Sequence, residues 1–146
     1  MNEELVELIK HDGMSIVLKH MKYSIEEDEP DRITIIASVN DITVGDIEFD
    51  PTTARIIYFI VEEPLRRKGI ATKLFKRLLR KIKTDHKEIK MIFVHRAAFG
   101  GGITQEEVNE FYGALGFIED DERNSSFIIK RCGKLAQIID NTFSHR

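Results

Sequence analysis

Residues 62 to 69, Glu62-Glu63-Pro64-Leu65-Arg66-Arg67-Lys68-Gly69, join an apolar run to an amphipathic one and concentrate the chain's most distinctive chemistry. Arg66, Arg67 and Lys68 stand beside Gly69 at the start of a predicted helix, where free backbone N–H groups and the positive end of the helix dipole also meet. An anion, most simply a phosphate, is the ligand that such an entrance holds. Pro64 ends the preceding strand, and Gly69 lets the backbone come close to whatever binds there.

The elements that must present this loop are legible on both sides of it. Ile56 to Val61 is a continuous apolar run rich in β-branched and aromatic residues, the pattern of a strand buried on both faces. Ile70, Leu74, Leu78 and Ile82 then recur at every fourth position, with Ala71, Phe75 and Leu79 beside them, as one apolar stripe of a helix. Upstream, Asn2 to His11 reads as a short helix stopped at Asp12-Gly13, Ser15 to Ile25 as a strand and Glu26 to Asp31 as an acidic loop. Ile33 to Val39 and Ile42 to Phe49 form a hairpin across Asn40-Asp41, and Asp50 to Thr53 turns the chain into the central strand.

Downstream, a polar break at Thr84 to Glu88 leads to the strand Lys90 to His95, parallel to the central one because a helical crossover separates them. The glycines of Arg96 to Ile103 imply a mobile loop. Thr104 and Glu107 form a capping box for a helix that runs through Val108, Phe111, Tyr112 and Leu115 to Gly116. Phe117 to Asp120 and Ser126 to Arg131 are the closing strands, and Leu135 to Ile139 adds a last helical turn.

The 146 residues suit a single domain, 1–146, that needs no disulfide or metal staple. The one cysteine, Cys132, cannot pair within the chain, and Cys/His metal spacings are absent, so a reducing cytoplasm is the expected setting. No apolar run approaches the ~20 residues of a membrane span, and the acidic N-terminus is unlike a signal peptide. The net charge of −3 conceals an asymmetry, because residues 66 to 90 carry +9 and the remainder −12. That split suits an anionic cofactor on one side and a cationic substrate on the other. A solvated helix face accounts equally well for the cations beyond Lys73.

Arg66-Arg67-Lys68-Gly69-Ile70-Ala71 fits the signature Arg/Gln-x-x-Gly-x-Gly/Ala, and Phe111-Tyr112-Gly113-Ala114-Leu115-Gly116-Phe117 is similar to a Tyr-x-x-x-Gly-Phe segment. With both motifs in order, residues 33 to 131 resemble the GNAT superfamily of acyl-CoA-dependent N-acetyltransferases. The chain departs from the pattern at Ala71, where many members have glycine, and at Gln105, where many have asparagine. The resemblance implies a mixed α/β fold: a central, mostly antiparallel sheet with one parallel, splayed strand pair and helices on both faces. It also implies acetyl-CoA as co-substrate, no metal, and direct acetyl transfer to a primary amine. Under it, the N–H groups of Arg67, Lys68, Gly69, Ala71 and Thr72 wrap the CoA pyrophosphate, with Arg66 at the mouth of the loop and Ile70 within the same signature. Ile60 and Val61 would meet the pantetheine arm where the central strand parts from the one ending at His95. The Phe59 N–H would face the thioester oxygen. A buried strand explains the same three residues without any ligand.

Acetyl transfer needs a neutral amine, a polarised carbonyl and a proton for the departing thiolate. Tyr112 is the candidate acid, since a phenol near pKa ~10 keeps its proton at neutral pH. Packing beside Phe111 is its alternative role. Glu48, Glu62 and His95 are candidate bases, although a lone histidine at a strand end is more often structural and water can serve instead. Cys132 could carry an acyl group, but cysteine is usually a small buried hydrophobe. The acids of 26–31, Asp46, Glu48, Asp50, Glu62, Glu63 and 119–122 could line a groove for a polyamine, a lysine side chain or an amino-terminal peptide. Two rivals remain: a non-catalytic acyl-CoA-binding module, and a nucleic-acid-binding domain using the basic segment. The second lacks an aromatic platform and is negative overall. Monomer and homodimer are both open.

Overall fold

The computed structural model describes residues 2–97 and 103–130. Cys132 and the turn expected at Leu135 to Ile139 lie outside the described residues. Two helices come first, α1 (Glu3–Asp12), whose N-cap Asn2 accepts from the Leu5 N–H, and α2 (Met14–Lys19). The sheet strands are β1 (Lys22–Glu29), β2 (Arg32–Val39), β3 (Ile42–Asp50) and β4 (Arg55–Val61), followed after α3 (Ile70–Asp85) by β5 (Met91–His95). Helix α4 (Gln105–Leu115) leads to β6 (Ile118–Glu119) and β7 (Asn124–Ile128). The seven strands run in the order β1-β2-β3-β4-β5-β7-β6, antiparallel except for the pair β4–β5.

Asn40 and Asp41 both take positive φ, 49° and 62°, and close the β2–β3 hairpin where the sequence places it. The stretch Ser15 to Ile25 is corrected. Its first residues form α2, which buries Val17 and exposes Ile16, and the strand begins only at Lys22. Contact with α1 outweighs the strand preference of the β-branched residues there. The acidic stretch from Glu26 is also strand as far as Glu29, leaving the turn to Pro30-Asp31. Charged side chains suit β1 because it is an edge strand.

One sheet face carries the core. Ile33, Ile35 and Ala37 of β2 and Ile47 and Phe49 of β3 are buried, as are Leu74, Phe75, Leu78 and Ile82 of α3. The stripe predicted for α3 is therefore its core face. Arg77 and Lys81 serve structure: the Arg77 guanidinium lies 4.6 Å from the Tyr23 ring centre, and Lys81 pairs with Glu27 and Asp85.

Strand β4 is not buried on both faces, for Ile57 and Tyr58 are 42% and 37% exposed. Glu48 pairs with Tyr58 while Phe49 pairs with Ile56, so Ile57 is an extra residue, a β-bulge. The ladder to β5 consists of Arg55 with Phe93 and Ile56 with Val94. It stops at the bulge, and the two parallel strands part from there.

Candidate active site

Beyond Val61 the chain makes one 3-10 turn over Glu63–Leu65, anchored by the fully buried Leu65. Arg66 folds back, its Nε donating to the Val61 carbonyl at 3.0 Å. Arg67 and Gly69 are both left-handed, with φ of 64° and 86°. Such geometry strains a side-chain-bearing residue such as Arg67, and it gathers neighbouring N–H groups into a concave, anion-binding surface. Gly69 is exposed, and a Cβ added there would meet nothing within 4 Å. The bond from the Lys73 N–H to the Gly69 carbonyl opens α3. Among the described residues, the backbone N–H groups of 67–72 donate to no protein acceptor. A diphosphate fits this surface: the amides are available and the approach is clear.

A cavity of about 570 Å3 continues from the loop between β4 and α4. It brings together Phe59, Ile60 and Val61 of the strand, Arg66, Arg67 and Gly69 of the loop, Ala71 and Thr72 of α3, and Tyr112 of α4. Lys68 is exposed outside this lining, and the Ile70 side chain belongs to the core. The Glu62 N–H donates to the Val44 carbonyl on β3, so alternation along the strand turns the Phe59 and Val61 N–H groups the other way. They face the gap that the bulge opens toward β5.

Tyr112 is 4% exposed, its ring set edge-on against Phe59, Phe111 and Phe117. Burial pushes its phenol well above the ordinary value of 10.0, so it stays protonated. The rest of the second motif holds it there. Gly116 ends α4 in the left-handed conformation, at φ 105°, and the Phe117 N–H donates to the Tyr112 carbonyl at 3.0 Å. Phe117 then packs on Tyr112 and Phe75.

The base candidates lie outside the cavity lining. His95 is exposed, its Nδ1 3.3 Å from the Asn124 side chain. Glu62 and Glu48 are half-buried, Glu48 opposite Tyr58. The carboxylate singled out by structure is Asp46, which sequence reasoning took only as a groove acid. It pairs across strands with Ile60, on the cavity wall, and its Oδ1 is buried without a partner. Burial, and then the charge of Glu48, raise its pKa above the ordinary value. The period-two spacing of Asp46, Glu48 and Asp50 was the available signal, since it puts three acids on one strand face. Glu107 and Glu110 of α4 also line the cavity. Among the described residues no group of three His, Cys, Asp or Glu could hold a metal ion.

Residues 7–129 match the family described as Acetyltransferase (GNAT) domain. The chain belongs to the GNAT acetyltransferase family. As an acyltransferase domain of that family, it has acetyl-CoA as its implied co-substrate. No curated protein matches it. Among solved structures, this GNAT domain is similar to an aminoglycoside 6'-acetyltransferase type Ii, at 21% identity and a TM-score of 0.58 over 72% of this chain and 74% of that one. A GNAT family acetyltransferase from Elizabethkingia anophelis with acetyl-CoA bound gives 13%, 0.54, 75% and 98%. The ribosomal-protein-S18-alanine N-acetyltransferase from Escherichia coli gives 10%, 0.53, 92% and 94%. At these identities the likeness is one of fold, and it matches the mixed sheet with its single parallel pair. No helix of the described residues is long and apolar enough to cross a membrane.

Proposed function

We propose that this GNAT domain moves an acetyl group from acetyl-CoA to a primary amine by direct transfer. The observation that carries the reading is one continuous surface: Arg67, Gly69, Ala71 and Thr72 with their free amides, the turned-out N–H groups of Phe59 and Val61, and the buried phenol of Tyr112 border a single cavity. The loop and the first turn of α3 hold the diphosphate. The thioester supplies the acetyl group, and the Phe59 N–H faces its oxygen as charge develops there, a contribution of roughly 2.7 to 4 kcal/mol for one such donor in other acyl-transfer sites. Tyr112 holds the proton destined for sulfur.

Asp46 takes the proton from the incoming ammonium, its burial and then the charge of Glu48 keeping it basic. The acceptor is cationic. Two facts support that assignment: the row of acids on β3, and similar structures named for an aminoglycoside and for an alanine of ribosomal protein S18. The test takes two steps. Acetyl-CoA at a hundredfold excess over its Kd adds about 2.7 kcal/mol to stability, and free thiol then appears with a subset of a panel of polyamines, lysine peptides and amino-terminal peptides. No stabilisation would overturn the donor assignment; stabilisation without thiol release from any amine would leave a binding module.

A further inference from the structure

Arg96 is the largest fully buried side chain among the described residues, 1% exposed at the end of β5, where the sequence read a mobile loop. Its guanidinium donates to the Asn109 side chain on α4 and to the Asp121 carbonyl in the β6–β7 turn. A longer contact reaches the Asn124 carbonyl at 3.4 Å, and Glu119 lies 3.7 Å away. Gln105 completes the set, its amide donating to the Arg96 carbonyl and, at 3.0 Å, to the Asn109 Oδ1. The residue that departs from the family pattern is thus turned onto this network.

Burying a guanidinium is costly, and apolar side chains of similar volume stabilise a fold as well or better, so the network is not explained by stability. What it supplies is direction. The aromatic contacts around Tyr112 are non-directional and tolerate sliding of α4, whereas a planar fork bonded to Asn109 and to the β6–β7 turn fixes the helix in register. Asn109 and Tyr112 are three residues apart, neighbours on the helix surface separated by about 4.5 Å of rise.

We propose that Arg96 is a positioning residue, which through Asn109 sets the depth of the Tyr112 phenol in the cavity. The inference rests on Tyr112 being the acid, and a double-mutant cycle separates the two claims. Arg96→Lys keeps the charge and loses the fork; Asn109→Ala, at a half-buried site, is the milder cut. In folded protein each lowers kcat on the order of ten- to a hundredfold, with KM for acetyl-CoA nearly unchanged, as expected for a misplaced group. In a Tyr112→Phe background, neither has a further effect on kcat. Equal losses in both backgrounds, or an unchanged kcat in wild type, would overturn the positioning role while Tyr112 stands. A Tyr112→Phe protein of full activity would remove the acid itself, and the proposal with it.

Discussion

At the scale of single residues, the two groups assigned to proton transfer call for opposite signatures. Tyr112→Phe keeps the ring contacts with Phe59, Phe111 and Phe117 and removes only the hydroxyl, so stability holds and turnover falls at least about tenfold, with acetyl-CoA affinity little changed. Asp46 carries its charge against the fold. Its folded pKa lies above the unfolded one, so its contribution to stability is full below the unfolded value and is lost as pH rises through the folded value. Asp46→Asn therefore raises the melting temperature at neutral pH, while turnover drops and the acid limb of its pH profile disappears. Lower stability in Asp46→Asn would mean that the buried oxygen has a structural partner, and an unchanged acid limb would assign the base to another group. Nothing in the local sequence marks Asp46 above its neighbours; its burial depends on strands that pair with β3 from either side.

At the scale of elements, the strand–loop–helix unit is where sequence and structure meet most closely. Gly69 tests it. At φ 86° and with open space around its Cβ position, Gly69→Ala meets no clash and costs only backbone strain, about 1–2 kcal/mol. The loop relieves that strain by relaxing, which turns the amides of 67–72 away. Isothermal titration then shows acetyl-CoA binding weakened well beyond the change in stability, and undiminished affinity would detach the loop from the diphosphate. This unit is legible because its signals are local: a fourfold apolar period, a proline and a glycine within a short span. The Asn40-Asp41 hairpin is legible for the same reason. The strand expected at Ser15 to Ile25 fails because a six-residue helix shows too little of its period to compete with β-branched composition. The bulge at Ile57 and the burial of Arg96 are invisible for another reason. One is defined by the partner strand, and the other by acceptors 13 to 28 residues away.

At the scale of the whole molecule, the question is how much of the +9 carried by residues 66 to 90 acts on the donor. Structure divides the cations. Arg77 and Lys81 reach Tyr23 and Glu27 on β1, which fastens α3 to the edge strand, and Lys81 also pairs with Asp85 within the helix. Lys68 and Lys73 are exposed at the helix entrance, beside the amides of the loop. Lys83 lies toward the far end of a 16-residue helix about 24 Å long. Since the Debye length is about 8 Å at 0.15 M salt, Lys83 is screened from the entrance where Lys68 and Lys73 are not. The KM for acetyl-CoA should accordingly rise severalfold between about 0.05 and 0.5 M salt with kcat steady. Lys68→Gln and Lys73→Gln together should raise KM at low salt and flatten that dependence, and Lys83→Gln should leave the slope as it is. Equal effects from both ends of α3 would make the basic helix a diffuse field rather than a local entrance, and a flat wild-type profile would leave diphosphate binding to the backbone amides alone.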